Sequence, residues 1–491
     1  MARHAEVKDA LQRAEKLIKA SSWPPDMFVA LVDVLAVDSI WQSAQADFID
    51  ANRDPLRVSD EEARARVELR GSAARNWEVS ASFRERALAA IRGAGAWNEG
   101  HLGTEAPDAR DFPREFAVLS RAIDAEAFPL SLDQGSLVPD RFQAARDLLR
   151  TRGTFTKEAS GRLIPSAARS VRGNSLRQFY GNLLRVGPAA DQGVDYGVSS
   201  SIPTKPPGAA LIVGFIPTVH AAGEMSWSIE RGAFHVRLNP KFEKKVIERV
   251  IRSLEWLLSR RADVIVIPEL VSSIALRERV GEELRSHAAH TPLLVVCGSE
   301  AVRSDSPTKR TNRAFVLGPS GRELWTQDKH HPYSISAEQI AQWGLQRQLG
   351  KVKRNEVGTS TRKKVVIRDI PGSGRFCVVV CEDLARSEPV QNAIRDFGVD
   401  MGVVVVMNGL FSESGWRLRH AVNLAEEPGS RIAIGNSCAI LARMEPRPTS
   451  PDLRSLAYYV LPNHGLTSVT LPPRASASDP PAVLVTPILK V

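Results

Sequence analysis

Through the second half of the chain, short apolar and mostly β-branched runs follow one another at close intervals. They are ALIVGFIP, RADVIVIPEL, TPLLVVCGSE, RAFVLGPSGRE, RFCVVVCEDL, VDMGVVVVMN and RIAIGNSCAI. Each run is too short for an ordinary helix and apolar at nearly every position, as expected of strands covered on at least one face. Between them lie turns and amphipathic stretches such as Lys241–Arg260, which carries Val246, Val250, Leu254 and Leu257 on one helical face. A chain of this texture folds as α/β, with helices packed over one or two central sheets.

The first part, to about Arg185, reads differently. Leu11, Ala14, Leu17 and Ile18 recur at helical spacing, as do Phe28, Leu31, Val32 and Leu35 after Pro24-Pro25. Asp60 to Gly93 is rich in Ala, Arg and Glu, and Pro113–Glu126 and Pro139–Arg152 repeat the pattern. The expectation is an all-helical domain over 1–186, a Gly/Pro/Ser-rich linker over 187–208, and an α/β domain over 209–491. At 491 residues a division into domains is expected from length alone.

Charge and cysteine usage narrow the setting. The net charge of +9 is modest for this length and permits an anionic partner without requiring one. Four scattered cysteines do not make a secreted disulfide scaffold, and no run is apolar enough for a membrane helix. The N-terminal stretch is amphipathic and charged, without the apolar core of a signal peptide. The reading is a cytoplasmic protein with no membrane role.

Reactive residues stand where the apolar runs end. Val264–Ile267 leads to Pro268-Glu269, and Phe376–Val380 leads to Cys381-Glu382-Asp383. Between them, Arg313–Gly318 opens a hairpin whose GPSG turn leads to Asp328-Lys329-His330-His331. A thiol is a strong nucleophile once its proton is taken, and a neighbouring carboxylate can take that proton and return it to a leaving amine. Attack on an amide or nitrile carbon builds negative charge, which a fixed ammonium stabilises by about 3–4 kcal/mol.

These segments together resemble the nitrilase, or carbon–nitrogen hydrolase, superfamily from about Ala209 to at least Cys438. IPEL, TNRAFVLGPSGRELWTQDKHH, VVVCEDLARSEP and GWRLRHAVNLAEEPGSRIAIGNS match its segments in order. The resemblance implies a four-layer α-β-β-α sandwich that pairs as a homodimer. It implies Glu269 as general base, Lys329 as oxyanion stabiliser, Cys381 as nucleophile and Asp383 as an associated acid, with Asn436 closing the last segment. It implies no cofactor and no metal. Many members place a second Glu between lysine and cysteine. Glu338 is the nearest candidate here, with Glu382 and Asp383 as further candidates to assist the site. The stretch between Lys329 and Cys381 is longer than the resemblance requires, and the excess is the polar, basic segment 341–364.

Other readings stand beside these. Cys377 and Cys381 with His330 and His331 form an alternative metal set, although no zinc-type ligand pair accompanies them. Segment 341–364 reads as a solvated loop, a lid, or a patch for an anionic partner. The function expected is hydrolysis of a non-peptide carbon–nitrogen bond, amide in preference to nitrile, through a Cys thioester. The alternative is a nitrilase-fold sensor or effector in a bacterial antiviral defence or signalling assembly, its N-terminal domain binding a protein or nucleic-acid partner.

Overall fold

A computed structural model gives the structure of the protein. It describes residues 2–37, 55–70, 78–98, 112–126, 151–165, 183–199, 211–287, 290–303, 310–357, 364–370, 373–409, 416–426, 429–443, 455–462, 465–470 and 483–485, with the single positions 40, 42, 44, 148, 149, 201 and 202 between them. The helix expected over 139–152 lies mostly outside the described residues, as do 203–208 of the expected linker and 358–363 of the basic segment.

The chain divides into two compact units, Met1–Gln192 and Gly193–Val491. In the first, helices α1 (Ala2–Ala20), α2 (Pro24–Leu35), α3 (Pro55–Arg70), α4 (Ala81–Asn98) and α5 (Phe112–Glu126) bring Met27, Phe28, Leu31, Phe83, Phe116 and Ile123 into a common core. Pro24 and Pro25 open α2, where their missing N–H groups cost nothing. This unit is not all-helical. Strands β1 (Arg162–Pro165) and β2 (Leu183–Val186) pair antiparallel. Four-residue strands are too short to register as periodic patterns, which is why a purely helical reading misses them.

The second unit is mixed α/β. It begins with β3 (Val194–Val198), β4 (Val213–Phe215), the ribbon β5 (Met225–Glu230) and β6 (Ala233–Leu238), helix α6 (Glu243–Ser259) and β7 (Val264–Ile267). It continues with α7 (Ile274–Ser286), β8 (Leu294–Arg303), β9 (Arg310–Leu317), β10 (Glu323–Asp328), and the two-residue strands β11 (Ser334–Ile335) and β12 (Arg354–Asn355). Then come β13 (Val365–Ile370), β14 (Gly374–Val380), α8 (Asn392–Phe397), β15 (Met401–Val406), α9 (Trp416–Glu426), β16 (Arg431–Asn436), β17 (Ser455–Leu461), β18 (Gly465–Thr470) and β19 (Val483–Val485).

Two large sheets organise the unit. One runs β10-β9-β8-β7-β4-β19, and the other β18-β17-β16-β15-β14-β13-β3. Strands β4, β7 and β8 are parallel, as are β14, β15 and β16. All residues of β7, β15 and β16 are buried, which explains why their sequences are apolar throughout rather than alternating. Residues 194–198, expected within a linker, instead add β3 to the second sheet by parallel pairing with β13. Its single alternating stretch, VDYGV, was masked by the flanking Gly, Pro and Ser.

Glycines let the layers approach. A Cβ on Gly435 of β16 would lie 2.9 Å from Val266 and 3.4 Å from Phe215, residues of the opposite sheet. A Cβ on Gly214 of β4 would lie 2.7 Å from Leu257 of α6. Helix α7 is capped by Ser273, whose side chain accepts from the Leu276 N–H. Among the described residues no helix is long and apolar enough to cross a membrane.

Because Gly435 sets the spacing between the sheets, Gly435→Val overpacks that contact. We expect a loss of about 2 kcal/mol in stability, read as a lower midpoint in urea unfolding. An unchanged midpoint would show that the sheets can separate there without cost.

Candidate active site

Three loops at strand ends meet in one pocket. Pro268-Glu269 follows β7, Lys329 follows β10, and Cys381 follows β14. The pocket is narrow, with about 20 Å³ open to the centre of a water-sized molecule, and Glu269, Lys329 and Cys381 all line it. Trp227, Phe234, Tyr333, Trp343 and Met407 supply most of the apolar wall. Glu269, Lys329 and Cys381 are each at most 4% exposed.

Each reactive loop is pinned by backbone contacts. Glu269 is followed by Leu270, which has φ +60° and donates its N–H to Ser299 Oγ at 3.0 Å. The backbone N–H of Lys329 donates to the Asn312 carbonyl at 2.7 Å, continuing the hairpin one residue past β10. Cys381 itself has φ +49°, a left-handed backbone that costs a non-glycine residue about 1–3 kcal/mol. That turn ends the strand's alternation at Val380. Asp383, two residues on, accepts from the N–H groups of His330 (2.9 Å) and His331 (2.8 Å) and contacts His331 Nδ1 at 3.0 Å. This buried carboxylate therefore ties the Cys381 loop to the loop carrying Lys329.

The charged centre holds two carboxylates around one ammonium. Lys329 Nζ donates to Glu269 Oε1 at 2.8 Å and to Glu356 Oε2 at 2.6 Å. Asn312 Nδ2 donates to Oε1 of both glutamates at 2.9 Å. The amide thus faces both glutamates with its NH2 group. The second oxygen of Glu269 accepts the Met407 N–H at 2.9 Å. Asn408, the next residue, exchanges hydrogen bonds with the Asn436 side chain: its N–H donates at 2.9 Å and its carbonyl accepts at 3.3 Å. Asn436 thus holds the loop that fixes Glu269.

Glu356 is the residue that sequence reasoning missed. It lies just past β12, is 8% exposed, and is bridged to Phe234 of β6. Glu338, the expected second glutamate, is exposed in a short helix and does not line the pocket. Glu382 is buried but accepts from Arg386 at 2.8 Å and is likewise absent from the pocket wall. The available signal for Glu356 was faint: a lone acid among Lys351, Lys353 and Arg354, followed by Val357.

Electrostatics follow from this packing. Burial raises the Glu269 pKa, and the charge of Glu356 adds to the rise against the opposing pull of Lys329. Burial alone would lower Lys329, but Glu269, Glu356 and Cys381 outweigh it, so the ammonium stays charged. Cys381, after Lys329, also pulls the Glu269 pKa down against burial. Lys329 has a third N–H, beyond those directed at the two glutamates, to offer an oxygen on a bound molecule. The other thiols are different: burial pushes Cys297, Cys377 and Cys438 up to about 12. Among the described residues no group of three His, Cys, Asp or Glu side chains is arranged to hold a metal ion.

No protein-family model and no curated protein matches the chain. Solved structures similar to it include nitrilase-superfamily amidases from Nesterenkonia sp.. One, at 14% identity, covers 57% of this chain and 90% of its own with a TM-score of 0.37. A variant carrying the acetamide moiety of fluoroacetamide on its active-site cysteine is 13% identical and covers 59% of this chain and 93% of its own, with a TM-score of 0.37. A variant in complex with butyramide is 14% identical and covers 57% and 91%, again at 0.37.

Near neutral pH, iodoacetamide should add one equivalent to the folded protein, at Cys381, leaving Cys297, Cys377 and Cys438 free until unfolding exposes all four. Peptide mass mapping reads the sites. Equal labelling of the four thiols in the folded state would contradict the assignment of a distinct, reactive environment.

Proposed function

We propose that the second unit hydrolyses the carbon–nitrogen bond of a small amide, with Cys381 as nucleophile, Glu269 as proton carrier and Lys329 as oxyanion stabiliser. The observation that carries this reading is the convergence of a thiol, a carboxylate and an ammonium in one buried pocket, with Lys329 Nζ 2.8 Å from Glu269. The ordered motif resemblance supports it. It also supports a four-layer α-β-β-α arrangement for this unit, in keeping with the facing sheets and with α6 against β4.

In the proposed reaction Glu269 takes the thiol proton as sulfur bonds to the carbonyl carbon. The oxygen becomes negative beside the Lys329 ammonium, where a preorganised charge is worth about 3–4 kcal/mol. The carbon–nitrogen bond then breaks, Glu269 returns the proton to nitrogen, and ammonia leaves a thioester on Cys381. Water, deprotonated by Glu269, attacks the thioester. The acid departs and the thiol is restored. Glu356 accepts a second hydrogen bond from Lys329, and its charge helps to raise the Glu269 pKa, which favours proton uptake from the thiol. Nitrile substrates would meet the same residues; amide is preferred as the commoner activity in the superfamily.

Purified protein given a panel of short aliphatic amides should release ammonia, and Cys381→Ala should lower kcat at least a thousandfold. No difference between the two proteins would overturn the proposal. Glu269 must be ionised to act, and its pKa is raised, so kcat/KM should fall on the acid side above the ordinary value of 4.5. Glu356→Gln removes one contribution to that rise. It should move the acid limb to lower pH and reduce kcat by about a hundredfold, whereas Glu338→Gln should change neither. An acid limb unmoved by Glu356→Gln would remove Glu356 from the site.

A further inference from the structure

The pocket is closed in by residues from the stretch between Lys329 and Cys381 that exceeds what the motif resemblance requires. The pocket's 20 Å³ open to the centre of a water-sized molecule is only slightly more than the roughly 10–15 Å³ that one water needs. Little chain beyond the reacting group can be housed, so some part of the wall sets a length limit. Several wall residues are tied to the charged centre. The Tyr333 and Met407 N–H groups donate to Glu356 and Glu269, and Leu270 directly follows Glu269. Phe234 is bridged to Glu356, and its ring centroid lies 6.2 Å from that of Trp227. Trp343 stands apart from these: its N–H donates to the Gln339 carbonyl at 2.9 Å, within its own helical turn.

The local sequence SAEQIAQWGL explains how that indole is held. Ser336 opens the helix Ala337–Gln342: its hydroxyl accepts the Gln339 N–H, and Gln339 Oε1 accepts the Ser336 N–H in return. Gln339 Nε2 also donates to the Tyr333 hydroxyl at 2.7 Å, which braces the helix against a second wall residue. Gly344, at φ +63°, ends the helix after Trp343. The Gly344 N–H donates to the Ala341 carbonyl and the Leu345 N–H to that of Ile340, a Schellman stop, and the Ile340 and Leu345 side chains are buried. Both ends of this short helix are therefore fixed, and Trp343 sits just past its last turn, 5% exposed and lining the pocket. An indole has only two side-chain torsions, so a backbone held in this way makes it a stiff wall.

We infer that Trp343 determines specificity, by closing the pocket to amides whose acyl chain is as long as hexanoyl. The inference rests on the hydrolase reading for its reaction, while the size limit itself belongs to the pocket. In an open apolar pocket each added methylene should strengthen binding about fourfold. A preference for the shorter chain therefore comes from a wall that does not yield. Glu356 belongs to the same stretch of chain, which thus supplies both a counterion for the Lys329 ammonium and the bar across the pocket.

The test compares acetamide with hexanamide. The parent protein should favour acetamide by roughly a hundredfold in kcat/KM, and Trp343→Leu should cut that ratio by about tenfold. Should Trp343→Leu fail to fold, as judged by urea unfolding, Trp343→Phe carries the same test with about a threefold cut. Alkyl methanethiosulfonates read the size limit without hydrolysis: the Cys381 thiolate bonds to the alkylthio sulfur and methanesulfinate leaves. With rates scaled to those of free cysteine and the site located by peptide mass, the parent should react roughly a hundredfold more slowly with the hexyl than with the methyl reagent. Trp343→Leu should cut that ratio too by about tenfold. Equal kcat/KM for both amides would overturn the inference and leave the hydrolase reading standing. So would a preference for acetamide that neither Trp343→Leu nor Trp343→Phe alters. Thiol labelling that selects by size through Trp343, with no turnover of either amide, would sustain the size limit and sink the hydrolase reading. Neither turnover nor size selection would end both.

Discussion

Lys329 held between Glu269 and Glu356 is the interaction on which the rest of the site depends. A lone ammonium at 4% exposure could not stay charged, and two carboxylates at hydrogen-bonding distance from one donor could not both stay ionised without it. Together they make a cluster with one more acidic group than basic. The excess leaves Glu269 with a raised pKa beside the thiol. The unequal charge count is what the proposed proton-carrier role of Glu269 draws on.

Such a cluster is stable only where the surrounding backbone is rigid, and the architecture provides that. Glu269 and Cys381 leave the ends of parallel strands, β7 and β14, one in each sheet, and the sheets touch through Gly435 and Val266. Side chains that never reach the pocket complete the fixation. Asp383 joins the loops of Cys381 and Lys329, Asn436 holds the Met407–Asn408 corner, and Asn312 spans the two glutamates. Local strain at Leu270 and Cys381, both at positive φ, is sustained by these contacts rather than by sequence preference.

Much of this was legible before any coordinates. Glu269 and Cys381 each follow a segment whose composition declares a strand, and Lys329 follows a hairpin opened by another, so position and chemistry pointed the same way. Glu356 was not legible, because it sits beside a two-residue strand in a polar basic segment where neither periodicity nor composition marks burial. Its environment is made by Phe234, Tyr333 and Lys329, all distant in sequence. Glu338 attracted attention by proximity in sequence alone, and it lies at the surface. The same reason hid β3 and the β1–β2 pair: short strands owe their existence to partners far along the chain, which local pattern does not encode.

The account stands or falls on whether carbon from a substrate becomes bonded to sulfur at residue 381. Acid-quenching the protein shortly after mixing with a small amide, then weighing the intact chain and its peptides, asks this directly. The account predicts a transient gain equal to the amide less ammonia, confined to the peptide containing Cys381 and decaying as the acid product appears. Ammonia released with no acyl group ever found on that peptide, or with the group on another residue, would contradict it.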